Sequence, residues 1–466
     1  MASTSRHPKG LPFLFFSEMW ERFGFYLLLA IFTLFLKDTV DKGGKGMDSA
    51  QASDLYGTFL GLIYLTPFIG GLLADRVLGY RSSVTIGGAL MGFGYMALAI
   101  PGEVAFYSAL LLIILGNGFF KPNISTLLGN IYNEEQYLRY KDSGYNIFYM
   151  GINLGAFISP FFAAYLRNEY GWGYAFIAAG IGMFLGLIVF WMGNKHYAHA
   201  DVRKPARPGD MGVGKILGIV MLPAILCGIL AYVILPPDQS IFGTKSTDAF
   251  LFGAIPVVIY YIYLWRSASE DEKRPIAGLL AIMGVAIIFW AIFKQNGTAL
   301  TYWADYFTDR EVPAVLLTPA QSIGMVQEVS TMPDSVSVFD ELFRTQKRPD
   351  GKVLNTYGPH YYFNNLPPEE TQPTGAGTYV TKKLISTELF QSVNPFFVIV
   401  LTPVVVAFWS FLRRKKREPS TPAKIGWGMV ITALSTLVMV GAVAAAHNGA
   451  DKASAWWLIS TYAVVT

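Results

Sequence analysis

Twelve stretches of this 466-residue chain are almost continuously apolar: 13–36, 53–74, 82–100, 104–128, 145–166, 173–193, 214–235, 249–265, 276–300, 390–412, 424–446 and 455–466. Most approach the roughly 20 residues that an α-helix needs to cross the hydrocarbon of a bilayer. None shows the alternation of outward and inward positions that marks a membrane β-barrel. The pattern predicts an all-α polytopic membrane protein. The last run, "SAWWLISTYAVVT", reaches Thr466 before it is long enough to span, so the natural protein is expected to continue.

Polar stretches between the runs divide the chain. Six runs precede the basic, proline-containing "NKHYAHADVRKPARPGDMG" at 194–212, which reads as a linker between two bundles. Residues 1–193 are the expected N-terminal six-helix bundle, 194–213 the linker, 214–266 two additional helices, and 267–466 a C-terminal bundle. Residues 301–389 contain no span and include "YGPHYYFNNLPPEETQPTGAGTYV". They read as a solvent-exposed insertion with turns and short strands.

Composition agrees: 53% of residues are hydrophobic and 15% charged, with a mean hydropathy of +0.40, an unusual balance for a soluble protein. Lysine and arginine fall mostly in alternate loops. One set holds Arg76, Arg81, Arg139, Lys141, Lys195, Arg203, Lys204, Arg207, Lys273, Arg274 and "RRKKREPSTPAK"; the other holds mainly Lys42, Lys45, Arg167, Lys245 and Lys452. This bias places the N-terminus in the cytoplasm and 301–389 outside. The formal charge of +4 then follows from the cytoplasmic loops and requires no nucleic-acid partner. "MASTSRHPKG" runs straight into the first span without a small-residue cleavage site, so no cleaved signal peptide is expected. Cys227 is the only cysteine, and the five histidines are scattered. No metal-ligand spacing, phosphate-cradling loop or nucleophile–base pair is visible, so no metal, cofactor, ATP-driven pump or enzyme is expected.

The informative departures are charges inside the apolar runs. "FSEMWERFGFYLLLAIF" (16–32) carries Glu18, Glu21 and Arg22, close enough on a helix for all three to share a face. A charge at mid-membrane costs about 2.5–3.5 kcal/mol on the insertion scale, and an intramembrane charge is a functional candidate. A Glu–Arg pair accounts for one acid and leaves the other unexplained. "GNGFFKPNIS" adds Lys121, beside Pro122, whose ring is expected to disrupt the local helix. "FWAIFKQNGT" adds Lys294. Arg22 and Lys121 together suit a carboxylate, and partly buried glutamates suit proton exchange. The loop "GGLLADRVLGYRSS" (70–83) resembles the Gly-x-x-x-Asp-Arg-x-Gly turn of major facilitator transporters, with Asp75, Arg76 and Arg81 placed for a cytoplasmic charge relay.

Several stretches together resemble the proton-dependent oligopeptide transporters. "EMWERFGFY" (18–26) is similar to their Glu-x-x-Glu-Arg-Phe-x-Tyr-Tyr signature, "GYNIFYMGINLGAFISP" (144–160) to their fifth helix, and "GFFKPNIS" to their fourth. "FWAIFKQ" and "QSVNPFF" resemble their seventh and eighth helices. The likeness implies a major facilitator fold of two six-helix bundles plus the two extra helices of bacterial members, with this chain stopping in its tenth core helix. It implies proton-coupled symport of di- and tripeptides across a bacterial inner membrane. Arg22 and Lys121 would hold the peptide carboxylate, with Tyr26, Asn153 and Asn394 on its backbone and amino end. Tyr64 and Trp290 would line the cavity, while Glu18, Glu21 and Lys294 join proton coupling. The sequence departs from the signature at Phe25, Leu27 and Leu29. Lys294 stands where the seventh helix usually has a glutamate, and is expected to pair with Glu18 or Glu21. The alternative is a related carrier of another small anion or organic solute, nitrate-like or glycoside-like.

Overall fold

The computed structural model describes residues 7–203, 212–236, 240–340, 345–349, 352–372 and 378–466. Part of the linker expected at 194–213, including Lys204 and Arg207, and parts of the 301–389 insertion lie outside the described residues.

Each apolar run forms a helix over most of its length. In the first half these are α1 (Leu11–Lys37), α2 (Ser49–Leu73), α3 (Tyr80–Ala97), α4 (Glu103–Ile131), α5 (Lys141–Tyr170) and α6 (Trp172–Gly193). An additional pair follows, α7 (Val213–Ile234) and α8 (Lys245–Ser267). The second half contributes α9 (Glu270–Phe293), α10 (Val393–Arg414), α11 (Thr421–Ala445) and the short α12 (Ala455–Val465). Ten of these are long and apolar enough to cross a membrane; α3 and α12 are the exceptions.

In the N-terminal bundle α1 packs on α5 and α6, and α4 on α2 and α3. One large apolar core fills it, and α1 is the most enclosed of the ten spanning helices. Helices α7 and α8 pack mainly on each other. A much smaller core, around Ala304, Phe390, Leu458 and Tyr462, serves the C-terminal half.

Two local expectations change. Pro122 does not disrupt α4, which continues through it. Proline removes the hydrogen bond to the carbonyl four residues earlier, here Gly118. That carbonyl packs against Gly70 of α2, so closely that a Cβ at Gly70 would overlap it. The run at 276–300, by contrast, is broken. Helix α9 ends at Phe293, Lys294–Gly297 form a 3-10 turn, and a short helix, Ala299–Tyr306, follows.

The insertion contains the short strands foreseen for it. β1 (Thr308–Asp309) pairs in parallel with β6 (Ala453–Ser454). β2 (Val326–Ser330) pairs antiparallel with β5 (Thr381–Ile385), and β3 (Asp334–Ser337) with β4 (Asn355–Gly358). Contacts between the two bundles gather at the insertion end of the helices. Thr33 Oγ1 donates to Gly297 O at 3.1 Å, Ser392 Oγ to Phe157 O at 2.9 Å, and the Ser53 and Tyr302 hydroxyls meet at 3.1 Å.

Candidate functional site

The three charges of α1 form one buried unit. Glu18, Glu21 and Arg22 are 2%, 0% and 3% exposed, so solvent compensates none of them. The main partner of Arg22 is its immediate neighbour Glu21, reached through a two-pronged contact: Nη2 donates to Oε1 at 2.5 Å and Nε to Oε2. Neighbours in sequence do not normally face each other on a helix. The fork of the guanidinium matches the carboxylate well enough to draw the two long side chains together. Glu18, one turn back, adds an oxygen 3.3 Å from Arg22 Nε. Its other oxygen, Oε2, has no hydrogen-bond partner among the described residues. The Phe25 ring lies 5.0 Å from the guanidinium carbon. Helix α5 crosses tightly here because Gly155 lies against Met19 O and Arg22 Cβ, leaving no room for a side chain.

Beside this unit, Tyr64 of α2 gathers two lysines. Lys121 Nζ lies 4.8 Å and Lys294 Nζ 5.2 Å from the centre of its ring. Lys294 is also 5.2 Å from the Trp290 ring, which tilts against Tyr64 at 6.2 Å. Lys294 thus pairs with neither glutamate; aromatic faces hold it instead. Lys121 lies within electrostatic reach of Arg22, Glu18, Glu21 and Lys294, and Tyr26 within reach of Lys294, Arg22 and Tyr64. Eight sequence-selected residues, from four helices, therefore meet between the bundles. Counting formal charges, the two acids offset two of the three bases. Tyr64 and Trp290 remain 43% and 46% exposed, so the cluster is accessible.

The loop after α2 is anchored by a residue that the motif did not reveal. Asp201, beyond the end of α6, accepts from Tyr80 N at 2.6 Å and Arg81 N at 3.3 Å through Oδ1. Its Oδ2 pairs with Arg81 Nε at 2.9 Å. One carboxylate thus caps the start of α3 and neutralises its arginine. Gly79, at φ +80°, makes the turn that exposes those N–H groups. Arg81 also donates to Asn194 Oδ1 at 2.7 Å, and Asp75 accepts from the Tyr80 hydroxyl at 2.7 Å. Arg76 sits between them in the π-helical turn Ala74–Leu78.

The POT family model (PTR2) matches residues 81–333 and 378–466. The chain belongs to the POT family.

Its relatives align with nearly the whole chain. The uncharacterized transporter YclF of Bacillus subtilis is 31% identical over 98% of this chain and 78% of its own length. A di-/tripeptide transporter of Lactococcus lactis is 30% identical over 98% and 80%. The crystal structure of the peptide transporter POT in complex with sulfate superposes with a TM-score of 0.70 at 30% identity, covering 98% of this chain and 79% of that one.

The remaining site candidates of this POT-family chain lie apart from the charge cluster in their bonding. Asn153, 7% exposed, donates to Tyr149 O of its own helix at 2.9 Å. Asn394 donates to the Thr466 hydroxyl at 2.7 Å, which ties α10 to α12. Asp201 was missed because its signal was spread over chain distance. An aspartate in a basic linker has no periodic pattern, and only folding sets it over Gly79.

Proposed function

We propose that this chain is a proton-coupled symporter of di- and tripeptides, working by alternating access. The observation that carries the proposal is the buried Glu18–Glu21–Arg22 unit set beside two lysines that have no carboxylate partner among the described residues. Arg22 is already doubly neutralised, so Lys121, with Lys294 beside it, is the group that receives the peptide carboxylate. Tyr26, Tyr64 and Trp290 line its path, with Asn153 and Asn394 facing the backbone and amino end. The unpartnered Glu18 oxygen is the place for a transported proton, and Glu21 holds Arg22 throughout. Asp75, Arg76 and Arg81, anchored by Asp201, form the gate at the linker end. The bundles 1–193 and 267–466 rock about this site, the linker at 194–213 spans the change and 214–266 flank it. The protein sits in a bacterial inner membrane with its N-terminus in the cytoplasm, as the lysine and arginine bias requires. The contacts at the insertion end then make this conformation open to the cytoplasm.

The names of the Lactococcus relative and of a POT mutant crystallised with alafosfalin support a peptide substrate. Labelled dialanine uptake into proteoliposomes, with and without an inward proton gradient, tests it. Gradient-driven accumulation that Lys121→Ala abolishes is the expected result; undiminished uptake by that variant would refute the carboxylate site. The unpaired lysines also suit a simpler anion. Inhibition by nitrate with none by dipeptides would move the assignment to that substrate.

A further inference from the structure

The insertion between α9 and α10 is attached to the two bundles in different ways. It is attached to the C-terminal half by the β1–β6 pair, where Ala453 N donates to Phe307 O and Lys452 Nζ to Tyr306 O, both at 2.7 Å, and its own interior is cross-linked by buried polar groups. Arg310, 2% exposed, pairs with Asp305 at 3.2 Å and donates to Ile385 O at 2.8 Å. Tyr361 and Thr387 donate to the same Asp305 at 2.8 and 3.0 Å. A small apolar core of Val329, Tyr362, Phe363 and Leu384 fills the insertion itself.

Its contact with the N-terminal half is polar. Lys42 pairs with Asp334 and Lys347 with Asp48, both at 2.7 Å, and Ser335 donates to Asp41 at 3.2 Å. Nearer the membrane, Asn168 donates to Gly324 O at 3.0 Å and to Ser386 Oγ at 2.8 Å, and Arg167 meets Glu388 at 2.9 Å. Behind these bridges lies a cavity of about 440 Å³, lined among others by Lys37, Trp172, Asp305 and His360. Among the described residues the segment therefore touches the N-terminal bundle mainly through polar bridges around a gap, with Gly324 set against the Tyr165 ring.

We propose that the insertion is a latch on the outer gate. Rigid with the C-terminal bundle, it holds the ends of α1, α2 and α5 in the closed arrangement and releases Lys42, Asp48 and Arg167 each time the carrier opens on that side. The proposal rests on the alternating-access reading above. The Lys42–Asp334 pair is exposed on both sides and Lys347 on one, whereas Arg167 and Glu388 are largely buried; an exposed pair is worth only about 0.2 to 1 kcal/mol, so the outer bridges bias a gate without locking it.

Two measurements test the latch. In the first, Thr33→Cys, at the interface contact with Gly297, is labelled with a membrane-impermeant maleimide in right-side-out vesicles, in a Cys227→Ser background. Adding Lys42→Ala and Asp48→Asn, the asparagine retaining the α2 cap, is expected to raise the labelling rate about three- to tenfold. An unchanged rate overturns the proposal. In the second, Asp41→Cys and Ser335→Cys are joined by a short reducible cross-linker. Dialanine uptake is expected to stop and to return on reduction; full uptake by cross-linked protein overturns the latch. Faster labelling with no dialanine uptake before cross-linking would uphold the latch and reject the peptide substrate.

Discussion

Replacing Arg22 by methionine tests whether the charge unit of α1 is held by pairing. The change keeps most of the side-chain volume and removes the only cation among the described residues within ion-pair distance of Glu18 and Glu21. Both carboxylates are then left 2% or less exposed, without their counter-charge. Breaking a buried pair in this way costs about 3–5 kcal/mol. Escape by protonation is no cheaper, since a carboxyl of ordinary acidity takes a proton at pH 7 only at about 3–4 kcal/mol. Adding Glu21→Gln removes the more enclosed charge and is expected to recover about half of the loss. The assay is thermal and chemical denaturation of purified protein, wild type against the single, the other single and the double variant, read as a double-mutant cycle. A loss below about 1 kcal/mol for Arg22→Met, or a double variant less stable than the single one, would refute the argument. Transport is expected to be lost in all three variants, so stability and function separate in the double variant.

Three further outcomes follow from other parts of the molecule. Asp201→Ala removes the cap of α3 and the partner of Arg81, at about 1–3 kcal/mol; Asp201→Asn, which keeps an oxygen over Tyr80 N, should restore at least half in the same melting assay. Gly70→Ala places a Cβ on Gly118 O and should cost about 1–3 kcal/mol or more by overpacking α2 against α4; a melting temperature within a degree of wild type would show that the helices separate freely. Burial holds the His360 imidazole down at about 3, below its ordinary 6.5, although Asp305 opposes the shift. Between those values the unfolded segment binds a proton that the folded one excludes. The stabilisation is thus complete above pH 6.5 and falls by about 2 kcal/mol on going from pH 7 to 5. His360→Gln should flatten that slope in proteolysis of the insertion, and an unaltered slope would assign it elsewhere.

The architecture was legible because the bilayer imposes one rule on every segment. Backbone polar groups in hydrocarbon must bond within their own helix, so each apolar run announced a helix, and all twelve are present. The internal charges were equally plain, since Glu18, Glu21, Arg22, Lys121 and Lys294 interrupt runs that have no other reason to carry them. Who pairs with whom was not legible. Spacing left open which glutamate meets Arg22, and the guanidinium fork takes Glu21 with Glu18 beside it; substitution of a glutamate favoured an acid for Lys294, yet Tyr64 and Trp290 receive it. Helical spacing fixes only which side chains share a face, whereas the geometry of a fork and the position of a ring on another helix choose among them. Pro122 makes the same point. The sequence alone determined that a hydrogen bond is missing there, and only the tertiary structure shows that α4 continues through it, with the freed Gly118 carbonyl against Gly70. Asp201 over Gly79, and the insertion bridging both bundles, likewise join residues more than a hundred positions apart. Such contacts exist only once helix packing has set the distances, because neither periodicity nor local propensity carries information across that span.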